Sequence, residues 1–205
     1  MKPPQHYRLL LCLNPEDSRT MFRSLTTREA AEALQEILKY MFDDKESLLS
    51  PSLQVTPPSL SVVISQLFKE YPYRREVELL NLLEESHAEL AWEIRSILPQ
   101  LDSLFHLTSD ARKVLLSHFS AAELVSLRAL FVLGPEGEVN QLQADNFDYL
   151  YKEYLSSELL EIVNALIEKS EPLTEDAETT IYNRFRSAIS QVLETLPHAM
   201  VMSGG

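Results

Sequence analysis

Signals for starting a helix recur along this chain every few turns, and that spacing limits what it can fold into. Asn14-Pro15-Glu16-Asp17 supplies a capping side chain, a proline at the first helical position and carboxylates in the first turn. Thr26 with Glu29, Ser86 with Glu89, and Ser120 with Glu123 fit the capping box, in which a hydroxyl and a carboxylate satisfy each other's orphan amides. Thr174 before Glu175-Asp176 opens another helix. Starts this close together predict roughly a dozen short helices, most of about two to four turns.

Between the starts, apolar residues keep a helical period. Ile181, Phe185, Ala188, Ile189, Val192, Leu193 and Leu196 form one stripe; Leu79, Leu80, Leu82 and Leu83 form another, as do Leu124, Val125, Leu127 and Leu130. Strands joined by tight turns need residues at positive φ, yet the chain has four glycines and two of them end it. The predicted fold is therefore all-α: an armadillo-like stack of short helices (an α-solenoid) with a small N-terminal helical hairpin.

Composition breaks suggest the divisions. Asp43 to Pro58 (DDKESLLSPSLQVTPP) holds three prolines and no sustained period. It predicts a hairpin over 1–43, a linker over 44–58 and a helical body over 59–132. A loop at 133–140 holds the only internal glycines; a C-terminal helical subdomain (141–197) and a tail (198–205) follow.

Charge and motifs narrow the function. A net charge of −13, with no basic run longer than Arg74-Arg75, repels phosphate backbones and favours a basic partner face. Nucleic-acid binding is not expected. Cys12, alone among leucines, reads as a small core residue in a reducing compartment. The apolar run Leu9 to Leu13 is too short for a signal-peptide core or a membrane span, which predicts a cytoplasmic protein.

The sequence has no glycine-rich phosphate loop, no G-x-S-x-G elbow and no H-E-x-x-H. Glu84 and His87 have the spacing of a di-iron ligand pair but lack a second such motif, so they read as a charged helix end. Asp43-Asp44 and Glu84-Glu85 read as solvated faces rather than acid/base pairs. No enzyme, cofactor, metal or small-molecule substrate is expected. Tyr149, Tyr151 and Tyr154 spread with Phe147 around a helix, so part of this cluster is a candidate contact surface.

One stretch resembles a known family. LLNLLEESHAELAWEIRSILPQLDSLFHLTSDARKVLLSHFSAAELVSLRAL, within 64–130, is similar to the C-terminal half of the flagellar motor switch protein FliG. Glu89-Leu90-Ala91-Trp92-Glu93-Ile94-Arg95 fits the family's E-L-A-x-E-I-R helix without gaps, and Leu104 to Leu107 fits its leucine run. Weaker similarity extends over 59–196, and the hairpin at 9–38 is similar in style to the family's middle domain.

The resemblance implies a non-enzymatic scaffold of the bacterial flagellar switch complex. It would sit in the cytoplasm or at the inner membrane in the basal body. Copies would assemble side by side in a ring, bind other switch-ring proteins, and meet the stator through a charged helix. Arg128 stands near the family's lysine in A-L-K-G-A. On the charged helix, Glu158 replaces an arginine, and Ala165 and Leu166 replace an acidic pair. With Glu161 these are the candidate contact residues. Leu98-Pro99-Gln100-Leu101 stands where the family has its Met-Phe-Val-Phe hinge. A contact built on alternating charges cannot work unchanged after such replacements, so the torque-type pattern is expected to be largely lost. The alternative is a stand-alone helical-repeat adapter or chaperone-like protein serving a secretion apparatus.

Overall fold

A computed structural model describes residues 10–11, 13–43, 59–132, 140–196 and 198–199. It shows an all-α stack of short helices, with no strand among the described residues. The predicted linker at 44–58, nearly all of the loop at 133–140, and Cys12 lie outside them. No single described helix is long and apolar enough to cross a membrane.

The chain divides into two compact units, Met1–Leu98 and Pro99–Gly205. Unit 1 contains α1 (Pro15–Ser24), α2 (Thr27–Asp43), α3 (Leu60–Leu67), α4 (Tyr73–Ser86) and α5 (Ala88–Ile97). Helix α1 packs on α3, α3 on α5, α5 on α4, and α4 on α2. This differs from the division expected from sequence. The hairpin α1–α2 is not a body of its own, because Phe22, Ala30, Leu34 and Ile37 share one core with Ile64, Leu67, Leu79, Leu83 and Ile94. Prolines in a connecting segment mark a break in periodicity, not a break in packing.

The rings of Phe22, Phe68 and Tyr71 close this core, with centroids 5.0–5.6 Å apart. Arg75 ties α4 to the end of α1, donating to the carbonyl of Arg23 at 2.7 Å and to that of Leu25. Its guanidinium lies 5.5 Å from the centre of the Tyr71 ring. Helix α3 ends in a turn through Glu70, which takes φ 61°, a left-handed conformation that favours glycine.

Unit 2 begins with a 3-10 helix, Leu101–His106, followed by α6 (Ser109–Ser117), α7 (Ala121–Val132), α8 (Gln141–Tyr154), α9 (Ser157–Ile167) and α10 (Glu175–Thr195). Helix α7 is its centre. Leu124, Val125, Leu127, Leu130, Phe131 and Val132 are all buried, as a helix apolar on every side requires, and α8, α9 and α10 pack against it. The stripe foreseen on the last helix forms: Ile181, Phe185, Ala188, Ile189 and Val192 are buried, while Leu193 and Leu196 are only half-buried. Ala199, placed by sequence in the tail, is buried, and its carbonyl accepts from the Thr108 amide at 2.7 Å.

Most helix starts are where the capping residues put them. The Asn14 side chain accepts from the amides of Glu16 and Asp17. Both reciprocal bonds form between Thr26 and Glu29 and between Ser120 and Glu123. Thr174 caps α10. The box expected at Ser86 and Glu89 does not form. Helix α4 runs through Ser86, whose hydroxyl turns back to the Leu82 carbonyl, and His87 makes the break.

Candidate functional site

The expected contact residues fall into two groups, those locked inside unit 2 and those left on its surface. Arg128 belongs to the first. It projects from α7, its side chain only 18% exposed, and grips Asp148 of α8 through two bonds of 2.7 and 3.1 Å. The hydrogen bond to Asp148 is the main reason its pKa is raised. A planar guanidinium matched to a carboxylate in this way is a clamp between helices. Expected from sequence as a candidate contact residue near the family's lysine, Arg128 is instead engaged within unit 2.

Tyr151 is a second correction. It lies four residues after Phe147 on the same face of α8, and both are buried. The Phe147 ring meets Phe131 at 4.2 Å and Tyr151 at 5.3 Å, edge-on to the latter, with Phe105 closing the cluster. The Tyr151 hydroxyl is not in water: it donates to the Leu124 carbonyl at 2.6 Å, and burial pushes its pKa well above the ordinary value. A helix carrying aromatics at 147, 149, 151 and 154 divides them by face. Tyr149 is 68% exposed and Tyr154 half-buried.

The surface group lies mainly on α9. This helix carries Leu159, Leu160, Ile162, Val163, Ala165, Leu166 and Ile167, yet only Val163 is buried. Ile162 is 53% and Leu166 38% exposed, and Ala165, Glu158 and Glu161 are exposed as well. Positions 158, 162 and 165 fall close together around the helix, with 161 and 166 on either side. The outward face is thus a ridge of Ile162, Ala165 and Leu166 beside Glu158 and Glu161. The helix has no basic residue to balance those acids. The side chain of Ser156 caps its start by accepting from the Leu159 amide. Sequence reasoning found these positions through the resemblance; their exposure follows from their place on the face of α9 that turns away from buried Val163.

Two features lay outside the expected set. Trp92, the only tryptophan, is 73% exposed on α5. Leu142, on α8, is similarly uncovered. The Glu84–His87 pair has an ordinary explanation: Glu84 meets Arg95 at 2.7 Å, and His87 sits exposed at the break between α4 and α5. Among the described residues no group of three or more His, Cys, Asp or Glu side chains could hold a metal ion.

In comparisons with known proteins, no family model and no curated protein matches the chain.

Proposed function

We propose that this protein is a non-enzymatic, FliG-like scaffold of the bacterial flagellar switch complex, working through apolar helix faces rather than alternating charges. The α9 face carries the proposal. An apolar ridge flanked by carboxylates on an otherwise thinly buried helix is what a protein contact leaves when its partner is absent. The same helix is the segment that the resemblance aligns with the family's working helix. The division between the two units supports the reading further, since it falls at Leu98/Pro99, within the four residues aligned with the family's hinge. Other switch-ring proteins and further copies of the chain are the proposed partners, with the stator a weaker candidate because Glu158, Ala165 and Leu166 no longer carry the family's charges. The setting is the cytoplasmic face of the basal body.

Deleting the gene in its own host tests this directly. Loss of swimming, or of assembled filaments, is the expected result; unchanged motility would sink it. Because Arg128 is a clamp, Arg128→Ala should leave swimming only mildly impaired while protein levels hold. Full paralysis at normal protein levels would restore a charge-based torque role. The second reading, a helical-repeat adapter outside the motor, draws on the same reversal at Glu158 and would gain from a genome without flagellar genes.

A further inference from the structure

Trp92 stands on the outer face of α5, opposite the buried Leu90, Ala91 and Ile94. Exposed Glu89 and half-buried Glu93 flank it on the same helix, and exposed Glu85 precedes them at the end of α4. The nearby Arg95 is already engaged by Glu84. Glu89 also borders a groove that Lys39 and His87 line. The result is a protruding indole set among carboxylates. A large, stiff aromatic side chain of this kind is the residue type most often responsible for binding energy at a protein contact.

Unit 1 also carries a concave surface of the opposite charge. Between α1 and α3 lies an open groove of about 400 Å³. Pro15 and Val62 give it apolar walls, Ser61 and Ser65 give it hydroxyls, and Arg19 and Lys69 give it positive charge. None of the described residues lining it is a carboxylate. Glu70, adjacent in sequence to Lys69, is drawn to Arg23 at 3.8 Å. On a chain of net charge −13, a concave surface lined by two cations and no acid is unusual. An indole suits it, packing on Pro15 and Val62 with a cation over its face.

We infer that copies of this chain dock head to tail through unit 1, Trp92 of one copy seating in the α1–α3 groove of the next. Opposite charges set the orientation, with Glu89 and Glu93 meeting Arg19 and Lys69. Donor and acceptor are different surfaces, so each copy keeps one of each free and the contact repeats into a ring or a filament. This rests on the self-assembly part of the proposed function and gives it a specific surface. It is tested without any flagellar protein, so its failure and that of the flagellar assignment are separable.

Sedimentation velocity and tryptophan emission, followed on the purified full chain through the micromolar range, test the inference. The sedimentation coefficient should rise with concentration while the emission of the single tryptophan moves to shorter wavelength, and salt should reverse both. Trp92→Ala should weaken association by roughly tenfold or more, and Arg19→Glu with Lys69→Glu should do the same. The first variant keeps its groove and the second keeps its tryptophan, so mixing them should yield a dimer and nothing larger. Circular dichroism confirms that each variant is folded. A chain that stays monomeric with unshifted emission would overturn the inference. So would oligomers indifferent to Trp92→Ala, a mixture that forms no dimer, or a monomer that instead binds a lysine-rich amphipathic peptide at Trp92.

Discussion

The two units close their cores with the same kinds of residue and finish them differently. Each has a phenylalanine cluster, a fully buried tyrosine at its edge and an arginine beside that tyrosine. In unit 2 the Tyr151 hydroxyl donates to the Leu124 carbonyl and Arg128 grips Asp148. In unit 1 the Tyr71 hydroxyl has no hydrogen-bond partner among the described residues, and Arg75 spends its donors on backbone carbonyls at the end of α1. A buried hydroxyl left unsatisfied costs about 1–3 kcal/mol. The ring therefore stabilises unit 1 through area and contact, whereas in unit 2 the same side chain also specifies which turn of α7 it faces.

The largest effects should be shared by the two units. Phe22→Ala and Phe147→Ala each delete a fully buried ring and should each cost about 3–5 kcal/mol in urea unfolding. A much smaller loss at either position would show that its cluster is not the core of its unit. The tyrosines should then separate them. Tyr151→Phe removes the hydrogen bond to the Leu124 carbonyl and should cost about 0.5–1.5 kcal/mol, whereas Tyr71→Phe removes an unpaired hydroxyl and should be neutral or slightly stabilising. Equal losses would erase the contrast.

Alkali should reach the same residues. Burial raises the pKa of both phenols above the ordinary 10.0, Tyr151 the more strongly. The neutral form is the one the folded state prefers, so no stability is lost below the unfolded pKa. As pH rises beyond it, the unfolded phenol ionises first, and stability falls by a limiting ~1.4 kcal/mol per pH unit for each tyrosine. Unfolding free energies measured on either side of pH 10 should show a shallower decline in Tyr151→Phe than in the parent.

The smallest effect is at acid pH. The Ser120 amide and hydroxyl hold the Glu123 carboxyl below its ordinary value. A depressed pKa contributes stability above the unfolded value that is lost as pH falls through the folded one. Glu123→Gln should flatten the decline in urea midpoint between about pH 5 and pH 3, with only a slight change at neutrality.

Helix starts were the most legible level of this sequence because a cap is local. Asn14, Thr26, Ser120 and Thr174 each satisfy amides two or three residues away. Ser59, Thr108, Asn140 and Ser156 cap helices in the same way without an acid three residues on to advertise them. Burial was legible where a stripe is long, as on α10, and illegible where it depends on which neighbour arrives. Tyr149 and Tyr151 are two residues apart and differ only in facing away from α7 or toward it. The same holds for Arg128: nothing near position 128 announces Asp148, twenty residues on. The exposure of Ile162 and Leu166 is likewise set by which face of α9 turns away from the helix it packs on, and their residue type does not announce it.

That uncovered face bears the account's central claim, and direct binding tests it best. The purified full chain, alongside its Ile162→Asp, Leu166→Asp double variant, would be titrated against purified switch-ring proteins of the same organism. The account predicts saturable binding by the parent chain, weakened roughly tenfold or more in the variant with helicity and melting unchanged. Absence of binding by the parent, or binding that ignores both substitutions, would contradict it.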